Sequence, residues 1–255
     1  MTAPRFLTDD ARRVWNGLLA EAGPGAPFDP ASADRLPEPI GRWLRHAIEP
    51  GTPARRVVSL AMHGTIRLGG RHPFRARQML APRRGFVWAA TARLARVLPV
   101  TGFDLYAGGR GEMRWRIAGA VPIMSASGRD IARSAAGRLA CEFVLAPATA
   151  LDPAVEWHGL DGTRAVASVP VGDERFEVTL TVAPSGALRS VTVPRWGDPD
   201  RTGYGLHDFG VECEGEATFS GFTVPATLRG GWWPGSARWS QGEFIRFAVA
   251  DAVYP

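Results

Sequence analysis

From residue 57 onward, apolar and polar positions alternate with a period of two. In VVSLAMHGTIRL, Val58, Leu60, Met62, Ile66 and Leu68 share one face, and Ser59, His63, Thr65 and Arg67 share the other. GEMRWRI sets Met113, Trp115 and Ile117 against Glu112, Arg114 and Arg116, and RFEVTLTV aligns Phe176, Val178, Leu180 and Val182. The pattern predicts five strands before residue 128: VVSLAMHGTIRL, FRARQML, GFVWAATARL, a segment near VTGFDLYAG, and GEMRWRIAGAVPI. The glycine-rich run between Tyr106 and Glu112 reads as a hairpin turn. About six more strands follow residue 153, from AVEWHG to EFIRFAVADAVY, for about eleven in all.

Helical spacing interrupts this pattern in three places. Residues 1–20 predict a short helix with Phe6, Val14, Leu18 and Leu19 as its stripe, followed by a Pro/Gly/Ala arm over 21–35. Pro37 and Pro39 start a second helix with Ile40, Trp43, Leu44, Ala47 and Ile48 on one face, and Pro50-Gly51 stops it. Residues 128–146 place Ile131, Ala135, Leu139 and Phe143 on one side of a third helix, within a central insert at about 128–150. The expected fold is mainly β (α+β), with residues 1–35 as an arm and 36–255 as one domain. An antiparallel sheet of this size has to curl or close to protect its edges. A strongly curved sheet or open half-barrel with covering helices is therefore expected.

Certain phrases resemble a family of uncharacterised bacterial proteins. They are LPEPIGRWLRHAI (36–48), PFRARQ (73–78), GFVWAA (85–90), DLYAGGRGEMRWRIAG (104–119), LACEFVLAPATAL (139–151) with VEW (155–157), and GFTVPATLRGGWW. That family more often has an aromatic near the position of Leu145, and it lends no activity to this chain. The layout of helix, strands, helical insert and more strands also resembles the LolA family of periplasmic lipoprotein carriers. This resemblance implies an open half-barrel with a helical lid over an apolar cavity.

Composition changes the picture mainly by exclusion. All 30 basic residues are arginine, against 25 acidic ones, for a net charge of +5. Without lysine there is no Walker-type phosphate lysine, no pyridoxal Schiff base and no lysine nucleophile. The arginines are spread over alternating strands with no recognition motif, so no nucleic-acid partner is expected. MTAPRFLTDDARRVW lacks the basic and apolar regions of an export signal, and no apolar run is long enough to span a bilayer. A cytoplasmic protein without stable membrane insertion is the expectation. Cys141 and Cys213 then read as two reduced thiols. None of the five histidines has metal-ligand spacing. Asp198, Asp200, Thr202 and Gly203 begin like a calcium loop, but Phe209 stands at its twelfth position. No metal or cofactor is implied, and there is no GxSxG elbow or dinucleotide fingerprint.

The candidate chemistry is acidic and aromatic. Glu142 sits among Leu139, Cys141, Phe143, Val144 and Leu145, a setting that can raise a carboxyl pKa for acid–base work. Its plainer role is that of a helix residue that points outward or pairs with an arginine. Asp104 and Tyr106 share a strand face and could present an acceptor and a phenol. Their plainer place is the sheet rim. Nine tryptophans could line an apolar pocket, with Trp88, Trp115, Trp157 and Trp233 as the candidates, although any one of them can simply be core. Gln78, Arg77, Arg93 and Arg195 could hold a head group or latch a lid, or else lie on a solvated face. The leading expectation is binding of a lipid-like or other hydrophobic small molecule in a concave, aromatic-lined face. The alternatives are a metal-independent isomerase, cyclase or hydrolase using Glu142 and Tyr106, and a protein interaction module.

Overall fold

A computed structural model describes residues 1–94 and 97–255. Six strands precede the helical insert: β1 (Val58–Leu68), β2 (Gly70–Ala81), β3 (Gly85–Leu94), β4 (Leu98–Ala107), β5 (Arg110–Ile117) and β6 (Val121–Ser127). Seven follow it: β7 (Glu156–Gly159), β8 (Arg164–Val171), β9 (Glu174–Val182), β10 (Leu188–Gly197), β11 (Gly205–Phe219), β12 (Phe222–Trp232) and β13 (Glu243–Val253). All thirteen join one open antiparallel sheet in the order β6-β5-β4-β3-β2-β1-β13-β12-β11-β10-β9-β8-β7. The count exceeds the expected eleven partly because GEMRWRIAGAVPI is two strands. A turn at Ala118–Ala120 divides it, with Ala118 and Gly119 at φ 50° and 72°.

The insert forms α3 (Arg129–Glu142), followed by 3-10 turns at 143–145 and 147–151. It links the two edge strands across one face of the sheet. α3 packs against β5 near one edge and β10 near the other. Eight strand steps separate β5 from β10, about 38 Å in a flat sheet. One helix about 10 Å thick touches both only because the sheet curls around it. At Gly111 on β5, an added Cβ would lie 2.5 Å from the Ala132 Cα, so the glycine lets α3 approach this closely.

The two faces are covered differently. On the convex side, α1 (Asp9–Ala20) starts at Thr8, whose hydroxyl accepts from the Ala11 N–H at 3.2 Å. Its buried stripe is Leu7, Ala11, Trp15 and Leu18, packed on Met79, Val87, Ala89, Phe103 and Leu105. This stripe is rotated from the expected one: Phe6 is exposed, while Val14 and Leu19 are only partly buried at the margin. On the concave side, α2 (Glu38–Ala47) buries Ile40, Trp43, Leu44 and Ala47 against β8, β9 and β12. Trp43 meets Phe143 edge-on at 6.2 Å. α2 and the turns after α3 fill one half of the concavity. Among the described residues, no helix is long and apolar enough to cross a membrane.

Candidate functional site

The unfilled half of the concavity is a cleft of about 380 Å³ between α3 and the sheet. Strand register builds its floor. Leu60, Gln78, Trp88, Asp104 and Met113 stand side by side on β1 to β5. The neighbouring row is Met62, Ala76, Ala90, Gly102 and Trp115. Its small members leave room, and the Trp115 ring lies over Gly102, where a Cβ would come within 2.4 Å of both the ring and the Arg114 carbonyl oxygen. Gly102→Ala is therefore expected to push β5 off β4 and to destabilise the fold by about 1–3 kcal/mol. Urea unfolding checks this, and an unchanged midpoint would refute it.

The opposite wall comes from the later strands, with Phe209, Val211, Leu228, Trp232, Ile245 and Phe247. α3 is the roof. Ile131, Ser134, Ala135, Arg138, Cys141 and Glu142 face the cleft at helical spacing, while Ala136, Leu139 and Ala140 are buried in the core. Leu68, Ile123 and Met124 both line the cleft and are exposed, which gives it an apolar mouth.

A short polar chain crosses the floor under this roof. The Gln78 amide donates to Glu142 Oε2 at 2.5 Å, and Arg138 Nε donates to Glu142 Oε1 at 2.7 Å. Arg138 Nη1 reaches Asp104 Oδ2 at 3.3 Å, and Trp115 Nε1 donates to Asp104 Oδ1 at 3.1 Å. The Arg138 guanidinium also lies 4.4 Å from the Phe86 ring and 5.4 Å from that of Trp88. Burial raises the Asp104 pKa, opposed by the Arg138 charge and the Trp115 hydrogen bond. Arg195 is held apart from this chain. Its Nε donates to the Ser134 carbonyl at 2.9 Å, and its guanidinium lies 4.3 Å from the Phe209 ring and 5.3 Å from that of Trp232.

Of the residues expected at a site, Gln78, Trp88, Asp104, Trp115, Glu142 and Arg195 converge on this cleft. The other five lie elsewhere. Arg77 neighbours Gln78, so alternation sends it to the convex side, where it donates to the Thr2 carbonyl. Arg93 follows Ala92 of the concave core and is exposed on the other face. Trp157 packs on Phe143 at 6.1 Å and donates to the Ala150 carbonyl, away from the opening. Trp233 follows the end of β12 with φ 59° and stacks with Arg238 at 3.6 Å. Tyr106 is buried with its hydroxyl 3.0 Å from where a Cβ of Gly172 would stand, in the β8–β9 turn. The acid–base pair of Glu142 and Tyr106 is therefore not assembled in the cleft.

Arg138 is the central cleft residue that no strand or tryptophan pattern marks. It is four residues before Glu142 in the same helix, and that spacing alone marks a side-chain neighbour. Both cysteines are free and buried. Burial pushes the Cys141 thiol pKa up, and that of Cys213 up to about 12. Asp198 accepts from the Thr202 and Gly203 N–H groups, which makes that segment a plain turn.

A family model matches residues 26–244. The chain belongs to DUF6544, a family of unknown function. No curated protein matches it. Among solved structures it is similar to a LolA superfamily protein, NE2245 from Nitrosomonas europaea, at 12% identity and TM-score 0.44, over 84% of this chain and 92% of that one. It is also similar to a domain named for outer membrane lipoprotein sorting from Vibrio parahaemolyticus, at 8% identity and TM-score 0.44, over 87% and 93%. A third is a DUF1329 family protein from Desulfovibrio piger, at 13% identity and TM-score 0.38, over 89% and 94%.

Proposed function

We propose that this DUF6544 member binds a lipid-like or other hydrophobic small molecule in the cleft under α3. The observation that carries the reading is the cleft itself. It is about 380 Å³, walled mainly by aliphatic and aromatic side chains, with a few fixed polar groups on its floor. That combination is the usual make-up of a small-molecule site. The apolar mouth at Leu68, Ile123 and Met124 supplies a route from the surface. An interaction module would present an apolar surface patch without a cavity behind it.

The test uses a solvatochromic apolar probe, with quenching of the cleft tryptophans as a second readout. One probe per chain is expected to bind the wild type. Ala135→Trp, which fills the space beneath the roof, is expected to weaken binding at least tenfold while leaving the far-ultraviolet circular dichroism unchanged. Equal binding by the folded variant, or no binding by the wild type, overturns the proposal.

A further inference from the structure

We infer that the ligand of this cleft is an acidic amphiphile whose anionic head group, a carboxylate or phosphate presenting two oxygens, docks on Arg195. The inference rests on the proposed cleft function and names the class of molecule.

The reason lies in how charges are matched beneath α3. Of the three carboxylates lining the cleft, Glu112 pairs with Arg114, and Arg138 takes the other two, Glu142 at 2.7 Å and Asp104 at 3.3 Å. Those acids are further engaged by the Gln78 amide and the Trp115 indole. Arg195 has no carboxylate within ion-pair distance among the described residues. Only its Nε is used, on the Ser134 carbonyl. Its two terminal nitrogens meet no acceptor among the described residues, and the residue is only partly buried. Arg195 is one of the residues that line the cleft.

The surrounding packing fixes the direction of this fork. Its stem passes under Gly137 of α3, where a Cβ would lie 3.2 Å from Arg195 Cγ. Phe209 and Trp232 support the guanidinium on their ring faces. Burial, and then the nearby Arg138 charge, lower the Arg195 pKa to about 10, so it stays charged at neutral pH. In the empty cleft, water can solvate the terminal nitrogens. A hydrocarbon tail expels that water. A neutral ligand then strands a desolvated cation, whereas an anion restores its partner through a bidentate pair. Asp104, Glu112 and Glu142 repel an incoming anion, but they lie beyond ion-pair distance of Arg195 and are neutralised in part by Arg138 and Arg114.

The experiment titrates the whole chain at pH 8 with dodecanol, dodecanoate and dodecyl phosphate, all below micellar concentration. Calorimetry and probe displacement provide the readouts. The wild type is expected to bind at least one of the two anions about ten- to a hundredfold more tightly than the alcohol. Which anion binds more tightly identifies the head group. Arg195→Met is expected to erase that preference while retaining dodecanol binding, which also reports that the variant is folded. Arg195→Lys, which keeps charge without the planar fork, is expected to restore part of the preference. If dodecanol binds the wild type as tightly as both anions, or if Arg195→Met keeps the preference, the head-group assignment is wrong and the cleft function stands. If none of the three binds, both fall.

Discussion

Replacing Arg138 with methionine is expected to lower the unfolding free energy by about 3–5 kcal/mol at neutral pH, the usual cost of stranding a buried ionic partner. The variant leaves Asp104 and Glu142 under α3 without an ion-pair partner. It also removes the charge stacked on Phe86 and Trp88. Methionine restores much of the aliphatic stem, so the loss reports charge more than volume. The pH dependence follows from the same arrangement. Arg138 lowers the Asp104 pKa against the larger effect of burial. Asp104 already holds its proton to higher pH than in the unfolded chain, and without Arg138 it does so to a higher pH still. The stability deficit should therefore shrink as pH falls from neutrality towards the ordinary carboxyl range. Adding Asp104→Asn and Glu142→Gln should recover most of the loss at pH 7. Urea unfolding of the single and triple variants at two pH values checks this. A single-variant deficit below about 1 kcal/mol would place the pair in the range of solvated surface ions instead.

A comparable loss is expected at the other ionic centre. Glu243 begins β13 and is 2% exposed. It accepts from Arg246 at 2.6 and 3.1 Å, from Arg229 at 2.7 Å, and from Arg71. One carboxylate thus ties β2, β12 and β13. Glu243→Gln leaves three guanidinium groups around a neutral amide. The arginines are partly solvated, so the expected loss is about 2–3 kcal/mol, below the full cost of breaking a buried pair. Burial acts to raise the Glu243 pKa, but the arginine hydrogen bonds overcome it and bring the pKa from 4.5 to about 2. As acid is added, the unfolded chain therefore protonates first. The contribution is whole above about pH 4.5 and drains away towards pH 2. Denaturation of wild type and variant across pH 2–6 should give curves that converge at the acid end. Parallel curves would mean that the carboxylate charge is not what stabilises this corner.

The strands were legible where one face is buried and the other is not. β8 and β9 alternate in burial as they do in sequence. β6 was missed as a separate strand because nearly all of VPIMSAS is exposed, so burial imposed no alternation on it. Parity along a strand also separates several of the expected site residues. Arg77 and Gln78 are adjacent on one strand and cannot both face the cleft, and Arg93 is out of step with Trp88. What alternation could not tell is which face is concave. β3 is buried almost throughout, because α1 lies behind it and the core in front. The separation of Tyr106 from the cleft was likewise hidden. It depends on how the β8–β9 turn meets β4, and no local pattern records that.

The place of β13 has a consequence for how the molecule is made. It lies between β1 and β12, although every other strand precedes it in the chain. Until it has left the ribosome, the two meanders β1–β6 and β7–β12 have no strand to join them. Their inner edges, β1 and β12, then carry unpaired N–H and C=O groups that can recruit any other extended chain. Joining Ser59 to Val253 also closes most of the chain into a loop, which makes this seam a slow pairing to form. The nascent protein is thus most vulnerable to aggregation just before β13 is supplied.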